Sequence, residues 1–312
     1  MSSGNLKLVS MKESKIVYTG PSGFVAENLR SYLAAAGYND LLPLSLRTGS
    51  LRSSVTGIGA VIHLAGKAHD LKKVSAPEEY YQVNYELTKK LYDEFLESDA
   101  VKFIFVSSVK AAADSVEGTL TEQDIPDPKT DYGKSKLMAE NYILSQPLPE
   151  GKSYFILRPC MIHGPGNKGN LNLLYQFVKK GVPYPLAAFE NKRSFLSIAN
   201  LCFVIKELLE REIPSGIYNL ADDESLSTNE LVTTIAGALG RKPRLWRIPS
   251  PAVKMLAKLG DKLKLPLNSE RLQKLTENYV VSNRKITGAL GRQLPYSSRE
   301  GLRRTILSFR AG

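Results

Sequence analysis

Lys15-Ile16-Val17-Tyr18-Thr19-Gly20-Pro21-Ser22-Gly23-Phe24-Val25-Ala26 decides the fold of this chain. Lys15 to Tyr18 reads as a short buried strand that runs directly into a glycine turn. Asn28 to Ala36 continues as a helix, so the order is strand, glycine turn, helix. Gly20 allows the tight turn, and Gly23 lets backbone approach a pyrophosphate whose charge faces the free N–H groups of the helix start. Ser22, Phe24 and Val25 sit in the same turn and are expected beside that ligand. Ala26 fills the third small position, where the only requirement is close packing of helix on strand.

The segments that follow keep the alternation. Leu41 to Leu46 reads as a second strand, Ala60 to Gly66 as a third, Glu78 to Glu97 as an amphipathic helix, and Phe103 to Ser108 as a fourth strand ending in hydroxyls. Strands alternating with helices imply an α/β protein with a doubly wound parallel sheet of the Rossmann kind, where ligands lie at the carboxyl ends of the strands. Ser108 is at such an end. In Thr130-Asp131-Tyr132-Gly133-Lys134-Ser135-Lys136, a phenol and an ammonium four residues apart share one helix face. A tyrosine with its ordinary pKa of about 10 is a poor base at neutral pH unless a cation favours the phenolate, and Lys136 is placed to supply that cation.

With Gly20 to Ala26, His63 to Gly66, Asn84, Ser107-Ser108 and Tyr132 to Lys136 in this order, the chain resembles the extended short-chain dehydrogenase/reductase family. More narrowly it is similar to the nucleotide-sugar epimerase, dehydratase and reductase branch, over almost the whole chain. The closest likeness, through Ser107 to Lys110 and Lys168-Gly169-Asn170, is to bacterial reductases of UDP-4-keto-6-deoxy-N-acetylhexosamines, enzymes of surface polysaccharide biosynthesis.

The resemblance implies roles for residues that match its motifs. Tyr132 exchanges a proton with the C4 oxygen of the sugar while hydride passes between C4 and a nicotinamide, and Ser108 hydrogen-bonds that oxygen. Lys136 holds the nicotinamide ribose and lowers the Tyr132 pKa. Leu64, Ala65 and Gly66 let backbone approach the cofactor, whereas the His63 imidazole is expected to be structural. Asn84 either orients Lys136 through water or is a plain packing residue. Leu157-Arg158-Pro159, His163 to Asn170 and Asn191 to Ser194 resemble the branch's cofactor and sugar-nucleotide contacts, with Pro159 on the cofactor side and Asn170 and Arg193 on the substrate side. Lys110 replaces a small or aromatic residue near the sugar.

Departures from the pattern inform too. After the second strand, where folds that prefer NAD place an acid, the chain has Leu44-Ser45-Leu46-Arg47-Thr48. An arginine there pairs with a 2′-phosphate, so NADP is favoured and NAD stays open; the alternative is a surface arginine. Dehydratases of the branch follow their catalytic hydroxyl with acids, but Ser108 is followed by Val109-Lys110-Ala111, so elimination is not expected. A 4-epimerase with retained NAD is the rival enzymatic reading. A dinucleotide sensor or nucleic-acid binder is the non-enzymatic one, and neither an aromatic-interleaved basic groove nor a helix-turn-helix signal supports it.

At 312 residues the chain suits one main domain plus a smaller part. The expected division is a tail over 1–14, a dinucleotide-binding domain over 15–165 with 195–225 returning to it, and a substrate-binding part from 166–194 and 226–312. Met11 is a second candidate start. Two cysteines and three histidines give neither a disulfide framework nor a metal cluster, so no metal is expected and a reducing cytoplasm fits. No apolar run suits a signal peptide or a membrane span. The net charge of +11 is uneven: from Arg241 onward there are 17 Lys and Arg against 4 Asp and Glu. The basic segment Arg241 to Arg247, with the partly amphipathic Ala252 to Leu265, is open to three readings: cover for a diphosphate, peripheral contact with an anionic membrane, or a solvated face. A homodimer is left open.

Overall fold

The computed structural model describes residues 11–46, 57–67, 76–167, 169–263 and 268–311. Its first half runs β1 (Lys15–Thr19), α1 (Phe24–Ala35), β2 (Leu41–Leu44), β3 (Ile58–His63), α2 (Pro77–Tyr81), α3 (Leu87–Glu97), β4 (Lys102–Val106), β5 (Thr119–Leu120) and α4 (Asp131–Ser145). It continues with β6 (Ser153–Pro159), β7 (Met161–His163), α5 (Asn170–Lys179), β8 (Phe195–Ser197), α6 (Ile198–Glu210) and β9 (Gly216–Leu220). The last stretch holds α7 (Thr228–Ala238), α8 (Ser250–Leu263), α9 (Ser269–Thr276), β10 (Val280–Val281), α10 (Arg284–Leu290) and α11 (Ser298–Ala311).

Six strands pair in parallel in the order β2-β1-β3-β4-β6-β9. The strands are apolar on both faces because both faces are covered. Ile16 and Tyr18, Ile104 and Val106, and Phe155 and Leu157 face α1 and α6, where they meet Leu29, Leu33, Leu201, Ile205 and Leu208. The alternate residues Val17, Val61, Phe103, Phe105 and Ile156 face α3 and α4, against Leu91, Tyr92, Phe95, Ala139 and Ile143. Chain direction across the sheet reverses between β1 and β3, which opens a crevice at their carboxyl ends. A separate core gathers Leu171 and Tyr175 of α5, Leu231 and Ile235 of α7, Val253 and Ala257 of α8, Leu272 of α9 and Leu302 and Ile306 of α11.

Several elements differ from the sequence expectation in their bounds or regularity. Helix α1 begins at Phe24 rather than Asn28, because Gly23 already accepts the first helical bond, from the Glu27 amide. Strands β2 and β4 stop at Leu44 and Val106, so Ser107 and Ser108 lie just beyond the strand, where Ser108 opens a 3₁₀ turn over Val109–Ala111. The helix expected over Glu78 to Glu97 is interrupted by a π turn, Gln82–Glu86, with one residue more per turn than an α-helix. The capping box of Ser227 and Glu230 forms as the spacing suggests.

Buried hydroxyls fix the crevice from below. The Thr19 hydroxyl accepts the Leu64 and Ala65 amides at 3.0 and 2.9 Å, so its own hydrogen goes to His63 Nδ1 at 2.8 Å. Nε2 of His63 therefore carries the proton and donates to Thr88, whose hydroxyl donates to the Asn84 carbonyl. The imidazole is structural, as expected. Fully buried and held neutral, it has its pKa pushed down to about 3 by burial, with the Lys136 charge adding to the effect. Since the unfolded chain takes up a proton below about pH 6.5 and the folded one does not until about pH 3, His63 lowers stability as pH falls through that window. At pH 5 the penalty is about 2 kcal/mol. Urea midpoints measured between pH 7 and pH 4 are expected to fall less steeply in His63→Gln than in the parent, whatever the variant's stability at pH 7.

Candidate active site

The strand ends, the Ser108 turn and the first turn of α4 make one corner. Asp114 pins them together: its carboxylate accepts the Lys129 and Thr130 amides at 2.6 and 3.1 Å and the Thr130 hydroxyl at 3.2 Å. Thr130 in turn caps α4 by accepting the Gly133 amide. Tyr132 is thereby delivered to Ser108. Ser108 accepts the Lys110 amide at 3.2 Å, and its hydroxyl is hydrogen-bonded to the Tyr132 phenol. The Tyr80 ring stands edge-on to Tyr132 at 6.2 Å, and Lys67 lies over Tyr80 at 5.8 Å.

Burial raises the Tyr132 pKa, and the Ser108 hydrogen bond works against that rise. The expectation that Lys136 lowers it is not met in this arrangement. Lys136 directs its ammonium to the Val106 carbonyl at 3.1 Å and sits over the Phe105 ring at 4.8 Å. Its own pKa is pushed down to about 8 by burial, against the pull of Glu140 one turn further along α4. Sequence reasoning missed Glu140. Its carboxylate is fully buried, accepts Ser107 at 2.5 Å and meets Arg158 in a forked ion pair with contacts of 2.5 to 3.0 Å. Arg158, which the resemblance grouped with cofactor and sugar contacts, is instead locked into this buried pair. The available signal was the acid four residues after Lys136, on the same helix face.

A dinucleotide needs a cradle without side chains, and the crevice provides one. Gly20 has φ +68°, and a Cβ there would lie 3.0 Å from the Ala65 Cα. A Cβ on Gly66 would lie 3.0 Å from the Lys136 ammonium and 3.1 Å from Asn84 Oδ1. The Gly20–Gly23 turn is closed by its own backbone bond and leads into α1 with Ser22, Phe24 and Val25 around it. Pro159 closes β6, and Leu64 to Gly66 follow β3. These residues fit a nicotinamide dinucleotide, and Asn84 builds their frame. It accepts the Lys67 amide at 2.7 Å and donates to the Lys67 carbonyl and to Ser135, which donates to the Tyr132 carbonyl. Arg47 lies outside the described residues. Among those residues no group of His, Cys, Asp and Glu suits a metal ion.

The three residues expected on the substrate side are not alike. Lys110 donates to the Asp114 carbonyl at 2.7 Å and covers the Tyr279 ring at 4.4 Å, and burial lowers its pKa. Arg193 stands within electrostatic reach of it, but its guanidinium already holds Glu277 at 2.9 Å and the Lys274 carbonyl at 2.8 Å. Asn170 is exposed at the start of α5.

A parallel doubly wound sheet whose crevice meets a Ser and Tyr pair and a buried lysine is the arrangement of an enzyme that works with a nicotinamide dinucleotide. Residues 16–221 match the NAD dependent epimerase/dehydratase family. The UDP-glucose 4-epimerase of Vibrio cholerae is 30% identical, covering 94% of this chain and 95% of that protein. The GDP-6-deoxy-D-mannose reductase of Pseudomonas aeruginosa is 28% identical over 71% of this chain and 79% of its own. UDP-N-acetylglucosamine 4-epimerase from Bacillus cereus shares the fold, with a TM-score of 0.73 at 22% identity, covering 95% and 99% of the two chains. The chain belongs to the NAD dependent epimerase/dehydratase family, among nucleotide-sugar epimerases and reductases of the extended short-chain type.

Removing one partner of a buried ion pair leaves the other charge uncompensated. Glu140→Gln is expected to cost about 3 to 5 kcal/mol in chemical denaturation, because Arg158 and Lys136 lose the same carboxylate. Glu140→Ala with Arg158→Met is expected to recover part of that loss.

Proposed function

We propose that the protein reduces the C4 keto group of a UDP-linked 6-deoxy-N-acetylhexosamine, with NADPH favoured over NADH, in the making of a bacterial surface polysaccharide. The observation that carries this reading is the Ser108–Tyr132 hydroxyl pair at the strand ends, followed by Val109-Lys110-Ala111 with no acid for an elimination. A phenol kept protonated by burial is suited to giving a proton, which is the reducing direction. Tyr132 gives that proton to the C4 oxygen, and Ser108 donates a hydrogen bond to the same oxygen as charge develops on it. The nicotinamide, when bound, supplies hydride to C4. Lys136 holds the ribose of that cofactor, and its ammonium loses its proton above about pH 8, so cofactor affinity weakens on the alkaline side.

On this reading the second core, with residues 166–194 and 226–312, carries the sugar nucleotide, and 15–165 with 195–225 carries the cofactor. Arg193 and Lys110 face the diphosphate and sugar, with Glu277 competing for the Arg193 guanidinium, and Asn170 meets the nucleotide. The protein is expected to work in the cytoplasm; among the described residues no helix is long and apolar enough to cross a membrane. Arg47 in place of an acid supports NADP. A 4-epimerase that retains NAD is the second reading, favoured by the Vibrio cholerae relative.

The test is to supply UDP-4-keto-6-deoxy-N-acetylglucosamine with NADPH and follow nicotinamide absorbance. Oxidation supports the reductase; no oxidation, with interconversion of UDP-N-acetylglucosamine and UDP-N-acetylgalactosamine without added cofactor, assigns the epimerase. Tyr132→Phe is expected to keep cofactor binding and lose at least about 100-fold in turnover, measured by fluorescence titration and steady-state rates. Arg47→Ala is expected to weaken NADPH by about 1.5 to 3 kcal/mol more than NADH, and an equal effect on both would return Arg47 to the surface.

A further inference from the structure

Helix α8 divides into three strips. Val253, Ala257 and Gly260 are buried and pack it onto the second core. Lys254, Lys258 and Lys262, spaced by four, make a row of exposed cations. Met255, Leu259 and Leu263 make the neighbouring row and Leu256 widens it; these four are 68, 48, 60 and 51% exposed. Among the described residues thirteen large apolar side chains are exposed, and four of them share this helix. Between Arg241 and Leu263 seven basic residues face one acid, Asp261, which is already bonded to Ser269.

A surface helix that spends its small residues on the core and shows its largest apolar ones to solvent is built for a second apolar phase. The lysine row names that phase. Long lysine stems run along apolar surface while their ammonium groups reach the anionic headgroups beside it, so the two rows fit one interface together. A second copy of the chain brings only one acid on this helix, Asp261, which is already bonded to Ser269 and leaves the three lysines unmatched. We propose that α8 is a membrane-docking element: it lies in the plane of an anionic lipid surface with Met255, Leu256, Leu259 and Leu263 inserted and Lys254, Lys258 and Lys262 on the headgroups. This stands apart from the reaction proposed above and holds whichever sugar is the substrate.

The experiment is co-sedimentation of the full chain with large vesicles of phosphatidylcholine alone and of phosphatidylcholine with phosphatidylglycerol in equal parts. Binding is expected to the anionic vesicles, to be at least about tenfold weaker to the neutral ones, and to fall as salt is raised. Met255→Ser with Leu259→Ser and Leu263→Ser is expected to lose at least about tenfold in vesicle binding at unchanged melting temperature, since none of the three is buried. Lys254→Gln with Lys258→Gln and Lys262→Gln is expected to abolish the preference for anionic vesicles. Equal sedimentation with and without vesicles, or unaltered binding in both triple variants, overturns the proposal. So does a dimer in sedimentation equilibrium that the serine variant dissociates while vesicles bind nothing, which would assign the face to a second copy.

Discussion

A single chain of side-chain hydrogen bonds ties the cofactor turn to the reacting corner. It begins at Thr19, beside Gly20, passes through His63 and Thr88 to the Asn84 backbone, and leaves through the Asn84 amide to Ser135 and the Tyr132 carbonyl. Each hydroxyl in it both accepts and donates, so no member can turn around without orphaning a neighbour in the interior. Two strands, the helical stretch containing Asn84, and α4 are thereby held in one register. The positions of Gly20, Ala65 and Tyr132 relative to one another follow from that wiring, because each is one bond away from a member of it.

Charge is the second constraint on the corner. Lys136, Glu140 and Arg158 are all buried, which would be costly for any one alone. Together they carry one carboxylate between two cations, with Ser107 completing the carboxylate's bonds. Glu140 reaches Arg158 directly and Lys136 only through space, so burial still wins at Lys136 and lowers its pKa. The apolar strands on that face are the reason: Phe103, Phe105 and Ile156 exclude the water that would otherwise screen the ammonium.

Much of this was legible in the sequence. The glycine turn, the alternation of strands and helices and the Tyr132–Lys136 spacing are local patterns, and local patterns survive without knowing what packs on them. The family and the parallel sheet followed from their order. What was not legible depends on partners distant in sequence. Arg158 has no local sign that its guanidinium turns to Glu140, and Arg193 none that it meets Glu277, since either could equally face a ligand. The lowering of Lys136, and the raising of Tyr132 where a fall was expected, come from three-dimensional burial that spacing does not report. The exposed row on α8 was half visible: its basic and amphipathic character could be read, but which apolar residues face inward required the fold.

The π turn at Gln82–Glu86 makes the stretch from Pro77 to Glu97 a poor unit for piecemeal exchange. An α-helix advances about 100° per residue, so the extra residue sets the azimuth of everything after it. Asn84 lies inside the turn and Thr88 just beyond it, and both must meet partners on other elements. Deleting any one residue there would convert the turn to regular α-helix and swing either Asn84 or the whole of α3 away from its partners, even though composition and helicity would hardly alter. A chimera built from relatives must therefore take this stretch whole, and an alignment that places a one-residue gap within it marks a rewired interior.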